Sequence, residues 1–129
     1  MEFMLLLKGD STPDTPPPAE LIEAMNQFSA ELAAAGVLLD AKGLFSSALG
    51  ARVVYSNGQR TVVDGPFAEA KELVAGYYLI DVKSRQEAIE WASRCPVDKA
   101  VSGDQEAVVE VRQSASSVEE PYPQLADRD

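Results

Sequence analysis

"TVVDGPFAEAKELVAGYYLIDV", Thr61 to Val82, decides how the chain is read. Two runs rich in valine, isoleucine and tyrosine are separated by an Asp64-Gly65-Pro66-Phe67 corner and a short charged segment. β-Branched and aromatic residues suit a pleated, half-buried surface, and glycine with proline interrupts it. The stretch therefore reads as strand, corner, strand. A plain connection needs only the glycine and the proline. The acids and base that follow either begin a helical turn or form the rim of a site.

Upstream, "ARVVYSNGQRTVVDG" carries the strongest hairpin signal, with β-branched runs on either side of Ser56-Asn57-Gly58. Asn-Gly favours the tight primed turn that matches strand twist. Before it, "VLLDAKGLF" gives a strand with a break around Lys42-Gly43. Further back, Leu21, Met25, Phe28, Leu32 and Ala35 recur at spacings of four and three, the apolar stripe of an amphipathic helix. Pro18 sits near its first turn and Gly36 at its end. "MEFMLLLKGD" opens the chain as a buried strand, and the proline-rich "STPDTPPP" links it to the helix.

Downstream, Ser84 and Glu87 form a capping box at the head of a second helix. Ala88, Trp91, Ala92 and Cys95 share one face of it, and Pro96 follows its end. "AVVEV", Ala107 to Val111, alternates as the last strand. The order is strand, helix, strand, hairpin strands, strand, helix, strand. It predicts an α+β, ferredoxin-like domain with an antiparallel-rich sheet and both long helices on one face. The domain spans residues 1–112, and 113–129 form an acidic tail pinned at most by Tyr122 and Leu125, or docked through Pro121-Tyr122-Pro123.

Such a sheet leaves one face bare, yet "MEFMLLL" and "GYYLIDV" are apolar on both alternations. Soluble proteins normally cover a large apolar patch. Two identical sheets packed face to face do so by two-fold symmetry, so a homodimer is expected.

The 129 residues suffice for one domain with its own core, and 46% hydrophobic with 25% charged residues match an ordinary soluble globular protein. A net charge of −10 opposes non-specific nucleic-acid binding and adhesion to anionic membranes. The single cysteine, Cys95, cannot make an internal disulfide, which fits a reducing compartment. The opening apolar run of about six residues is short of the roughly 7–15 of a secretory signal. The expected location is cytoplasmic.

Asp64-Gly65-Pro66-Phe67-Ala68-Glu69, Lys71-Glu72 and Gly76-Tyr77-Tyr78 together resemble the DGPF subset of the YCII-related proteins. The resemblance covers roughly residues 1–112. It implies a dimeric α+β barrel, a bacterial origin and a connection to extracytoplasmic-function sigma factors, hence to transcriptional regulation. A catalytic Asp–His dyad has been proposed for the wider family. Asp64 falls where that Asp would sit, but the chain contains no histidine, so the dyad is incomplete.

Asp64 is the candidate catalytic residue: at a strand end it can act as a general base or bind a polar group, or simply accept N–H bonds in its own turn. Glu69 and Glu72, three apart, form either a charged lip or an exposed helical turn, with Lys71 turned away. Tyr77 and Tyr78 are adjacent on a strand and point to opposite faces, one toward the helices and one into the dimer interior. Arg52 can clamp a carboxylate or phosphate, or be a solvated strand charge. No phosphate-cradling glycine loop is present, and one cysteine without histidine assembles no zinc site, so neither cofactor nor metal is expected.

The reading is a small homodimeric protein that binds a small molecule or a protein partner near the inter-sheet cleft. The alternative is a small acid–base enzyme, of hydrolase or isomerase type, that uses Asp64 with a tyrosine.

Overall fold

The computed structural model describes residues 1–101 and 105–124. Strands β1 (Glu2–Lys8), β2 (Leu38–Gly43), β5 (Val74–Asp81) and β6 (Val109–Gln113) form a four-stranded sheet in the order β2-β5-β1-β6. Every neighbouring pair is antiparallel. Helices α1 (Ala19–Ala34) and α2 (Arg85–Arg94) lie in the two crossovers. This is the ferredoxin-like α+β arrangement that the element order predicts.

The core explains why both helices share a face. Phe3 and Leu5 of β1 and Tyr78 and Ile80 of β5 point toward Phe28 and Leu32 of α1 and Ala88 of α2. Leu5, Leu32, Ile80 and Ala88 are wholly inaccessible to solvent. Truncating Leu32 to alanine would cost about 2–5 kcal/mol through lost transfer energy and the cavity left behind. The Phe28 ring meets Tyr78 edge-on at 5.3 Å and Trp91 at 6.3 Å, joining sheet, α1 and α2. Of the predicted α1 stripe, Ala35 falls beyond the helix as its exposed cap.

Helix ends follow local chemistry. The Ser84 hydroxyl accepts from the Glu87 amide at 3.1 Å, the N-cap expected of it. The Glu87 carboxylate reaches one residue further back than in a capping box and accepts from the Lys83 amide at 3.0 Å. Gly36 adopts φ +73°, a left-handed stop that an L side chain resists.

Two local expectations are corrected. Lys42 and Gly43 do not break β2: they pair with Tyr77 and Gly76, and the register shift falls earlier, between Leu38 and Asp40. Glycine is needed at 76, where a Cβ would lie 2.8 Å from the Lys42 carbonyl oxygen. The hairpin strands β3 (Ala51–Ser56) and β4 (Gln59–Asp64) do not continue the sheet. Among the described residues they pair only with each other, as a separate two-stranded ribbon exposed along its whole length. Its turn is the primed type, with Asn57 at φ 52° and Gly58 at φ 76°.

The tail begins against β1, where Ser114 donates its amide to the Glu2 carbonyl at 2.9 Å and its hydroxyl to the Glu2 carboxylate at 2.7 Å. Beyond this, Val118 is fully exposed and Tyr122 largely so. Leu125, expected to pin the tail, lies outside the described residues.

Candidate functional site

The corner after β4 is docked rather than free. The Gly65 amide donates to the Gly50 carbonyl at 2.9 Å, and the Gly65–Pro66 peptide is cis. A Cβ on Gly65 would lie 1.8 Å from the Ser47 carbonyl oxygen, so only glycine fits. Ser47 is the hub. Its hydroxyl donates to the Asp10 carboxylate in a short bond and accepts from the Phe67 amide at 3.0 Å, while its amide donates to Asp10 at 2.8 Å. These bonds to the ionised form hold the Asp10 carboxyl below its ordinary range, the Ser47 hydroxyl contributing most. Ser46, buried, caps the same short turn by accepting from the Ala48 amide at 3.1 Å.

Asp64 itself is the exposed last residue of β4, paired with Ala51. Among the described residues its carboxylate makes no hydrogen bond, so Asp10 rather than Asp64 fastens the corner. Arg52 lies across the Phe67 ring at 3.8 Å, a cation–π contact that binds the hairpin base to the corner. Glu69 precedes, and Glu72 ends, a 3-10 turn at Ala70–Glu72, shorter than a helix, and both are exposed. Lys71 forms a 3.5 Å ion pair with Glu106.

The two tyrosines separate as the alternation requires. Tyr78 enters the helix-side core, and its hydroxyl lies 2.8 Å from the Ser29 hydroxyl. Ser29 spends its own proton on the Met25 carbonyl at 2.9 Å, so Tyr78 is the donor in that pair. Burial raises the Tyr78 pKa. Tyr77 lies on the bare face and donates to the Asp40 carboxylate at 2.8 Å. The bond lowers the Asp40 pKa and raises that of Tyr77, leaving a carboxylate and a protonated phenol at neutral pH.

The register lays out that bare face as two rows. One reads Asp40, Leu79, Met4, Arg112; the next reads Lys42, Tyr77, Leu6, Glu110. The centre is apolar and half-buried. The corners alternate in sign, and Arg112 already contacts Glu110 at 3.2 Å.

The structure therefore divides the predicted residues among three places. Tyr77 belongs to the bare face; Asp64, Arg52, Glu69 and Glu72 belong to the corner and hairpin base; Tyr78 belongs to the core. Sequence reasoning passed over Asp40, Asp10 and Ser47. The i, i+2 spacing of Asp40 and Lys42 on a strand was the one available signal, since it places both on one face.

Elsewhere, a cavity of about 400 Å³ opens between the tail and the sheet edge, lined by Phe3, Arg85, Val111, Arg112 and Pro121-Tyr122-Pro123. Among the described residues no group of histidine, cysteine or acid side chains is placed to hold a metal ion. No helix among them is long and apolar enough to cross a membrane.

Compared with known proteins, residues 1–113 match the YCII-related domain. A curated protein from Rhizobium meliloti (strain 1021), itself uncharacterized, is 43% identical over 58 residues. That alignment covers 45% of this chain and 47% of the relative, so the matched segment spans about half the length of each.

Proposed function

This chain belongs to the YCII-related domain family, and we propose that it is a cytoplasmic homodimer whose two bare sheet faces pack together around a binding site for a small molecule or a segment of a protein partner. The single observation that carries this reading is the pair of rows on the bare face. A two-fold axis in the interface and parallel to the strands sets Asp40 against the second copy's Arg112, and Lys42 against its Glu110. An axis perpendicular to the strands sets Asp40 against Lys42, and Arg112 against Glu110. Either way opposite charges meet around an apolar centre, the self-complementarity that a two-fold contact demands.

The Tyr77–Asp40 pair supplies the polar group inside that interface. A carboxylate braced by a phenol suits a ligand with an apolar body and a cationic or hydrogen-bond-donating group. Asp64, Glu69 and Glu72 form an acidic rim at the hairpin base, with Arg52 held beside them by Phe67. A regulatory role beside a sigma factor is supported by the resemblance in the corner motif alone.

The acid–base reading has less support. Tyr77 spends its hydroxyl on Asp40 and Tyr78 on Ser29, so neither is the partner of Asp64. Binding without turnover is the better reading.

The test is light scattering coupled to gel filtration, with native mass spectrometry of gently purified protein. The wild type should elute as a dimer, and Leu79→Glu should make it a folded monomer. Retained ligand mass should be lost in Tyr77→Phe. A wild type that stays monomeric at about 100 μM, a concentration at which even micromolar affinity would show, sinks the proposal.

A further inference from the structure

Thirteen large hydrophobic residues are exposed among those described, and eight of them lie between Leu44 and Val63. They are Leu44, Phe45, Leu49, Val53, Val54, Tyr55, Val62 and Val63. The ribbon holds five of these eight, and cross-strand pairing puts them on both of its sides. Val53 faces Val62 on one side, with Tyr55 beside them; Val63 and Val54 lie on the other. A two-stranded ribbon with no sheet or helix behind it is marginal in water. Its apolar residues are also those of a surface meant to be covered.

We propose that the β3–β4 hairpin is an arm that seats on the body of a second copy of this chain. Charge identifies the occupant. The two strands and their turn, residues 51–64, carry Arg52 and Arg60 against one acid, Asp64 at the base, in a chain whose net charge is −10. The arm is thus a basic apolar strip on an acidic molecule, complementary to the body of another copy and repelled by another arm. Arg52 is held at the base over Phe67, while Arg60, opposite Tyr55, is exposed and makes no ion pair among the described residues. Two-fold symmetry lets each copy cover the other's arm at once, which a contact within one chain does not achieve. The docked corner fits this role: Asp10, Ser47 and the Arg52–Phe67 contact stiffen the arm where it leaves the domain, which lowers the entropy lost on seating it.

This inference rests on the homodimer proposed above, though not on the bare sheet faces being the surfaces that meet, and the experiment separates the two. The dissociation constant is measured by sedimentation for the wild type, for an arm variant (Val53→Ser with Val62→Ser), for Arg60→Glu and for the face variant Leu79→Glu. All four substituted side chains are outside the helix-side core, and circular dichroism confirms that each variant folds. The arm variant and Arg60→Glu should each weaken association more than about tenfold, as expected from losing buried valines or reversing a contact charge. If the arm variants associate like the wild type while Leu79→Glu is monomeric, the arm proposal is overturned and the sheet-face reading stands. If the arm variants weaken association and Leu79→Glu does not, the arm stands and the sheet-face reading falls. A wild type that is monomeric throughout overturns both.

Discussion

Gly65 and Ser47 are packed so closely that a single added methyl group would place a carbon 1.8 Å from the Ser47 carbonyl oxygen. The Gly65 amide is simultaneously held by the Gly50 carbonyl at 2.9 Å, so the backbone has no room to retreat. Gly65→Ala should therefore destabilise the protein by about 1–3 kcal/mol or more, the range for overpacking against rigid neighbours. Gly43→Ala is the control, because a Cβ there meets nothing within 4 Å. Urea denaturation of both variants checks this. Equal stabilities would mean that the corner is not seated on the Ser47 turn.

Asp10 makes the same corner sensitive to acid. Its carboxylate is stabilised by the Ser47 hydroxyl and amide, so its folded pKa lies below the unfolded value of about 3.9. The stabilisation is present above that unfolded value and is lost as pH falls below it through the depressed folded pKa. Wild-type stability should accordingly drop more steeply on acidification below about pH 4 than that of Asp10→Asn, which carries no titrating group there. Chemical shifts of the Ser47 and Phe67 amides should follow the Asp10 titration. Identical acid limbs for the two proteins would show that the carboxylate does not fasten the corner.

How much of this was legible in the sequence depends on the distance over which each feature is determined. The hairpin turn, the Ser84 cap and the Gly36 stop were readable because each is fixed by residues within one turn of one another. The fold followed from element order, since few topologies join those elements without crossing connections. The detachment of β3 and β4 was not readable: alternation cannot say which strands a hairpin pairs with beyond its own two. The bond between Ser47 and Asp10 spans 37 residues, as does that between Tyr77 and Asp40. Both depend on register and on how loops pack, which local propensity does not encode. For the same reason the corner's most suggestive acid, Asp64, was easier to see than the acid that holds it.

The adjacent tyrosines give a contrast that tests the placement of the two faces. Tyr78→Phe removes a buried donor but leaves Ser29 bonded to the Met25 carbonyl, so it should cost only about 0.5–1.5 kcal/mol. Tyr77→Phe should leave stability nearly unchanged and instead release Asp40, whose carboxyl pKa should rise toward its ordinary value. Carbon-detected NMR titration of the aspartates reads the second effect and thermal melts read the first. A large stability loss in Tyr77→Phe with none in Tyr78→Phe would reverse the assignment of core and bare face.

Cys95 offers a probe of the core that needs no substitution. It ends α2 with 6% of its surface exposed, and burial pushes its thiol up to about 12. Neutral thiols are poor nucleophiles, so a disulfide reagent at pH 8 should not modify the native protein within minutes and should modify it at once in denaturant. The unfolded chain loses this proton near pH 8.5, whereas the folded chain keeps it until about 12. The stability it contributes is thus complete below the unfolded value and declines as pH rises from there toward the folded one. Labelling rates measured against urea should track the population of opened molecules. If the thiol instead reacts at the same rate with and without urea, then α2 does not cover it, and the packing of Cys95 beside Phe28 and Ile80 in the core would have to be abandoned.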